Sequence, residues 1–230
     1  MAGFDFDFLV GIYPALLQAT LVTLALTGVS LIAGFGIGFF TGWARVSPRF
    51  WIRAASTAYV EVVRGTPLVV QIFVIYSMFP ALLPDARVPA FWRIALALTI
   101  NTGAYQGEIF RGGFQSISTG QVEAARSLGM TYWQAMGHVI APQTLRIVTP
   151  SLLNEFIIML QSSALGSVIG FKELTGKAME LAARGGDYLE ALVGAATIYI
   201  AITVSMSAVI HVVERRYRVP GLGVRPHTTA

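Results

Sequence analysis

No cysteine occurs among the 230 residues. That excludes a disulfide framework, a thiolate metal site and a cysteine nucleophile. Charge is nearly as scarce: Asp, Glu, Lys and Arg together make up 12%, half the roughly 25% of an ordinary soluble domain. So few charges cannot cover a water-exposed surface, which argues against a soluble enzyme. No Gly-x-x-x-x-Gly-Lys-[Ser/Thr] phosphate cradle is present, so ATP hydrolysis by this chain is not expected. A membrane-embedded enzyme would need His-Glu-x-x-His or a serine with a nearby base, and neither is found. Apolar residues, in contrast, reach 55%, with a mean hydropathy of +0.66. These figures exclude intrinsic disorder and leave an all-α integral membrane protein. The net charge of +4 does not imply nucleic acid, because basic loops on one membrane face give the same sum.

A spanning helix needs about 20 mostly apolar residues, and the charge-free runs locate five. Phe8 to Ala44 is too long for one upright span, and Pro14 suits a helix start, so the first is placed at 14–43. The second, 54–83, carries Glu61 and Arg64, with a kink expected at Gly65-Thr66-Pro67. The third, 93–112, includes Glu108; the fourth, 146–171, includes Glu155; the fifth, 190–214, is free of charge from Ala191 to Val213. With five spans the termini lie on opposite sides. One side then holds ten basic groups, from Arg45, Arg49 and Arg53 through Arg111, Arg126 and Arg146 to Arg215, Arg216, Arg218 and Arg225. The other holds five, namely Arg87, Arg93, Lys172, Lys177 and Arg184. The richer side belongs in the cytoplasm, so the N-terminus is outside and the C-terminus inside. Asp5, Asp7, Asp85, Glu173, Glu180, Asp187 and Glu190 fall outside.

Ionisable and amide groups at membrane depth usually face a bundle interior or a wet cavity. Glu61 and Arg64, three apart, share one helix face, as an internal ion pair or as part of a pocket. Asn101, Tyr105 and Glu108 form a stripe on the third span. On the fourth, Asn154 and Gln161, and Glu155 and Ser162, are each seven apart and so nearly superpose two turns on. Interhelical hydrogen bonding explains part of this pattern; stripes on two helices and a charged pair on a third favour a polar pathway or pocket. Arginine suits a carboxylate and glutamate an ammonium, as a zwitterion requires, and the surplus of acids leans towards a cationic side chain. His138, His211 and His227 have no ligand partners at metal spacing. Arg215, Arg216 and Arg218 suit an anchor at the inner headgroups. Gly28, Gly34, Gly36, Gly38 and Gly42 suit close helix packing, at the seam with a second copy.

The cytoplasmic segment 113–145 is no loose loop. Ser118 with Gln121 forms the capping-box pattern and opens a helix over 119–128 that Gly129 stops. Thr131 with Gln134 repeats the pattern and opens a second short helix ending near Pro142. Small residues at Ala124 and Ala125 suit docking in a protein groove better than lipid.

Four ordered blocks resemble one family. They are Val63-Arg64-Gly65-Thr66-Pro67-Leu68, Gly107 to Gly113, Gly120 to Gly129, and Asn154-Glu155-Phe156-Ile157 running on to Ser167-Val168-Ile169-Gly170. Glu123-Ala124-Ala125, Gly129 and Ile140-Ala141-Pro142 look like the signature loop of the membrane subunits of ABC importers, with Ala141 where the family usually has Leu. The chain resembles the polar amino-acid branch, the permeases for histidine, glutamine, glutamate, arginine and opines. The resemblance covers about residues 15 to 218. It implies a single permease domain over 1–230 in a bacterial inner membrane, pairing with itself or a similar permease. It implies two ATPase subunits, which would bind ATP and Mg, and an extracytoplasmic substrate-binding protein. The chain itself would hold no cofactor. Gln121, Glu123, Ala124, Ala125, Arg126, Leu128 and Gly129 would couple to the ATPase. Glu61, Arg64, Asn101, Tyr105, Glu108, Asn154, Glu155, Gln161 and Ser162 would line the pocket for a polar amino acid. The rival readings are a small polar-lined channel independent of ATP, and a permease for methionine or another apolar substrate, against which the charged midplane argues.

Overall fold

The computed structural model describes residues 4–185 and 188–217, and among these every regular element is a helix. The side chain of Arg216, and Asp187, Arg218, Arg225 and His227, lie outside the described residues. Helix α1 runs over Phe6–Arg45, α2 over Phe50–Arg64, α3 over Leu68–Leu82 and α4 over Ala90–Ser116. Helix α5 covers Thr119–Ser127 and α6 Tyr132–Ala135; α7 covers Ala141–Ser162, α8 Leu174–Gly185 and α9 Tyr188–Tyr217. Three stretches are long and apolar enough to cross a membrane: Phe6–Arg45, Tyr132–Ile169 and Tyr188–Val213. The pair α2 and α3 makes a fourth if counted as one broken span. Helix α4 carries Arg93, Glu108 and Arg111 and is not among them.

The frame is built on α1 and α4. Gly34 faces Thr102, Gly38 faces Gln106 and Gly42 faces Phe110, so the two helices run parallel with their backbones close. A methyl on Gly38 would lie 2.6 Å from Gln106 Cβ, a separation no real contact allows. These glycines therefore pack inside the chain rather than at a seam with a second copy; Gly28 and Gly36 face open space. Helix α7 lies antiparallel to α4, with Gly113 against Thr144 and Val148 at one end and Met159 beside Leu98 at the other. Helix α9 starts beside the start of α1, where Tyr13 and Thr197 hydroxyls meet at 2.6 Å. One end of the bundle thus collects the last turns of α1 and α4, the start of α7 and the α5–α6 hairpin. The opposite end carries α8.

Four expectations are corrected. Helix α1 begins at Phe6, eight residues before Pro14, because Asp5 caps it by accepting from Phe8 N at 2.9 Å; Pro14 is absorbed inside the helix. The second span is no single kinked helix: α2 and α3 meet at 103°, since Pro67 can give no amide to α2 and starts a new helix instead. Ser118 makes no side-chain cap, because its own carbonyl takes the Gln121 N–H at 3.0 Å, the donor its hydroxyl would have needed. The Thr131–Gln134 box does form, but its helix does not stop near Pro142. It widens into a π turn over Met136–Ile140, with Ala141 N bonded back to Met136 O. That widening takes up the proline, and the helix continues to Ile169.

Helix α8 lies in what reads as a charged outer loop. Leu174, Ala178 and Ala182, four apart, are fully buried against Ile12 and Leu16. Glu173, itself wholly buried, starts the helix by accepting from Gly176 N at 2.7 Å, Thr175 N at 2.9 Å and the Tyr199 hydroxyl at 3.1 Å. Thr23 Oγ1 accepts from Leu174 N at 2.9 Å.

Candidate functional site

The break between α2 and α3 would leave polar backbone exposed in an apolar setting, and one side chain splints it. Gln71 Nε2 donates to Val63 O at 2.7 Å, to Thr66 Oγ1 at 2.9 Å and to Thr66 O at 3.1 Å. Its Oε1 accepts from Asn101 Nδ2 at 3.1 Å, which fixes the amide of Asn101, 6% exposed on α4. Tyr59 of α2 donates to Ile100 O at 2.6 Å and holds the same level together.

Below the break, Glu108 collects arginines. Arg45 and Arg111 both bond it directly, Arg111 through Nε at 2.9 Å, and Arg64 stands off at 4.0 Å. Arg45 also lies 3.9 Å from Glu61. The paired cluster therefore holds three arginines against two glutamates, a surplus of one positive charge. Arg64 is its loosest member, with its guanidinium stacked 5.2 Å over the Tyr105 ring.

Two cavities adjoin this cluster. The outer one, towards the α8 end, is about 490 Å³ and is lined by the Gly65-Thr66-Pro67 break, Asn101, Ser162 and Leu165 among others. The inner one, towards the hairpin end, is about 580 Å³ and is lined by Glu108, Ser151, Asn154, Ser207 and His211 among others. Arg64, Tyr105, Glu155 and Ile158 line both. Glu155 is 4% exposed.

Of the nine residues expected at the pocket, seven line one or both cavities: Arg64, Asn101, Tyr105, Glu108, Asn154, Glu155 and Ser162. Glu61 and Gln161 line neither. The Glu61 side chain is 72% exposed and turned to Arg45, so Glu61 and Arg64 do not pair with each other. Gln161 is exposed on the flank of α7, beside the cavity face that carries Glu155 and Ser162. Glu108 sits among arginines of three helices, beside the last residue of α1, rather than at mid-span. Sequence reasoning missed Gln71, Arg45, Ser151 and Ser207, and set His211 aside as an ordinary histidine. Gln71 had a signal, as the lone amide in the apolar run after Pro67. Arg45 had none, because its partner lies 63 residues on.

At the hairpin, Gly129 takes φ +80° after α5. Met130 N bonds Ala125 O at 3.2 Å and Gly129 N bonds Arg126 O at 2.9 Å, a Schellman stop that an αL glycine permits. Of the seven expected coupling residues, only Ala125 is buried; Gln121, Glu123, Ala124, Arg126, Leu128 and Gly129 are exposed, with Leu128 80% exposed. Trp43 at the end of α1 donates to the Tyr132 hydroxyl at 3.0 Å and packs on Trp133, so the hairpin is seated on the bundle.

An all-helical bundle with a charged, cavity-lined break and an exposed, glycine-stopped hairpin defines a membrane transport component. Residues 34–219 match the family described as binding-protein-dependent transport system inner membrane component, and the chain belongs to that family. It is 34% identical over 216 residues to the glutamine transport system permease protein of Escherichia coli (strain K12), covering 94% of this chain and 99% of that one. It is 38% identical over 205 residues to the L-cystine transport system permease protein of Bacillus subtilis (strain 168), covering 89% and 87%. Among solved structures, a chain of an amino acid ABC transporter crystallised with histidines superposes with a TM-score of 0.84 at 39% identity, covering 94% of this chain and 100% of that one.

Proposed function

We propose that the chain is the permease subunit of an ATP-driven importer that moves a polar amino acid inward by alternating access. It crosses a bacterial inner membrane five times, through α1, the broken α2–α3 pair, α4, α7 and α9, with its N-terminus outside. The observation that carries the substrate class is the pair of charges on the wall between the cavities. Arg64 is the surplus cation of its cluster and Glu155 is a buried acid, and together they match the carboxylate and ammonium of an α-amino acid. Relatives for glutamine and L-cystine, which share that zwitterionic head, support the reading. With Glu108 held by arginines and Glu61 turned outward, the surplus of acids disappears. The amide and hydroxyls of Asn101, Thr66 and Ser162 favour an uncharged polar side chain.

The exposed face of α5 docks in a groove of a separate ATPase subunit, with Glu123 offering a charge-assisted contact. The partners are a second permease, identical or homologous, two ATPase subunits that bind ATP and Mg, and an extracytoplasmic binding protein. To test the coupling, residues 120–129 are deleted, or Gly129 is replaced by valine, and the permease is purified with its ATPase. Loss of co-purification and of ATP-dependent uptake is expected. Unchanged association, or uptake without ATP, would overturn the assignment in favour of a channel.

A further inference from the structure

The two cavities share a wall but little else. Each falls within the roughly 300–1,000 Å³ typical of small-molecule sites, at about 490 and 580 Å³. The wall carries Arg64 and Glu155, so either cavity offers a zwitterion the same two charges. Arg64 is also the partner that Glu108 can best release: Arg45 and Arg111 bond that carboxylate directly, whereas Arg64 stands at 4.0 Å. It can turn to a substrate carboxylate while Glu108 stays paired. Tyr105, stacked under the guanidinium, sits in the same partition. The inner cavity has a polar lining of its own. Ser207 and His211, four apart and hence on one face of α9, meet Ser151 and Asn154 of α7 there. Polar side chains at membrane depth usually face a wet space, and these line only the inner cavity.

We propose that the inner cavity is a second substrate station, in series with the outer one, that receives the amino acid after hand-over past the Arg64–Tyr105 partition. Asn101 and Ser162 serve capture, and Ser151, Ser207 and His211 serve release. This rests on the amino-acid permease reading above and adds an order of events to it.

The test uses the assembled transporter, permease with ATPase and binding protein, in proteoliposomes supplied with ATP. Radiolabelled L-glutamine, L-arginine and L-histidine are the probes. Ser162→Trp fills the outer cavity, Ser207→Trp fills the inner one, and Ser151→Leu is a milder inner substitution that decides the matter if the tryptophan variant does not assemble. Ser162→Trp should weaken equilibrium binding of the carried probe more than tenfold. The inner variants should keep KM within twofold and lower transport kcat at least tenfold, while ATP hydrolysis stimulated by the loaded binding protein stays within twofold of wild type. Inner variants that transport at the wild-type rate would overturn the second station. So would hydrolysis falling in step with transport, which marks general mechanical damage. If Ser162→Trp also leaves binding unchanged, the amino-acid site itself is misplaced, a separate result from failure of the second station.

Discussion

Glu108 and Glu155 look alike in sequence, each a lone acid in a polar stripe, yet Glu108 is paired with arginines and Glu155 is buried on the cavity wall, so the proposed function assigns them opposite roles, and Glu→Gln at each separates these. Glu108 is a strut. Its carboxylate neutralises Arg45, whose side chain is 11% exposed, and Arg111 at 31% exposed. Breaking a buried pair by removing one partner costs about 3–5 kcal/mol, and an exposed pair about 0–1 kcal/mol. Glu108, with its side chain 26% exposed, lies between, and Glu61 at 3.9 Å offsets little because it is 72% exposed. The loss from Glu108→Gln is therefore about 2–3 kcal/mol, a fall of roughly 5–10 °C in melting temperature for a chain of this size. Among the described residues Glu155 makes no such arginine pair. Glutamine there removes a buried charge and leaves the melting temperature unchanged or higher. Under the proposed function it loses a charge-assisted bond to the substrate ammonium, about 1.5–3 kcal/mol, or about 10- to 150-fold in KM. Thermal unfolding of the purified complex and uptake in proteoliposomes read both quantities on the same preparation. A Glu108→Gln protein that melts within a degree of wild type while its KM rises tenfold would refute the assignment of Glu108 as a strut.

Other substitutions probe the frame and the hairpin. Gly42→Ala puts a methyl 2.8 Å from Arg111 N and Gly107 O, backbone atoms that cannot yield, and should destabilise by about 1–3 kcal/mol, whereas Gly36→Ala meets no atom within 4 Å and should be neutral on the same unfolding curve. Gly129→Ala forces a side chain into φ +80° and should cost about 1–2 kcal/mol, seen as faster proteolysis at the hairpin. Thr131→Ala removes one half of a formed capping box and should cost about 1 kcal/mol. Burial pushes the Glu173 carboxyl above its ordinary range, against the pull of its backbone donors. A raised pKa favours the protonated fold, so this contribution is full below the ordinary carboxylate value and is lost as pH rises through the raised one. Melting temperature should fall over that window, and Glu173→Gln should flatten the dependence.

Much of this was legible because lipid imposes a simple rule on sequence: charge-free runs and rare polar intrusions. Glu155, Asn101 and Ser162 are cavity residues that such intrusions pointed to, and Gly129 and Thr131 announced their turns through local backbone chemistry. What stayed hidden depends on groups brought together from afar or on compensation. Pro142 reads as a helix stop, but the preceding π turn removes the reason to stop. Helix α8 reads as a loop because its residues are charged; only its 174, 178, 182 stripe, and a buried acid capped by Thr23 and Tyr199 from other helices, make it a helix. The surplus of acids at the pocket is absent because Arg45, the last residue of α1, reaches Glu108.

The π turn has a mechanical consequence. Because it lets the helix pass Pro142, the hairpin and the cavity wall belong to one rod: Tyr132, bonded to Trp43, and Glu155, between the two cavities, lie on the same continuous helix. At 1.5 Å per residue they are about 35 Å apart along it. A rod of that length transmits displacement only if it does not bend, and its neighbours decide whether it does. Helix α4, locked to α1 by the glycine stripe, gives α7 a stiff surface to slide or tilt against. Pro150 gives no amide inside α7, and the π turn before Pro142 is the second weak point. A variant that restores regular winding there, Pro142→Ala, should stabilise the isolated chain by removing a helix breaker, yet shift the register between hairpin and cavity wall. Transport per ATP hydrolysed should fall although the protein melts higher. A Pro142→Ala transporter that gains stability and keeps wild-type stoichiometry would show that the hairpin does not act through α7.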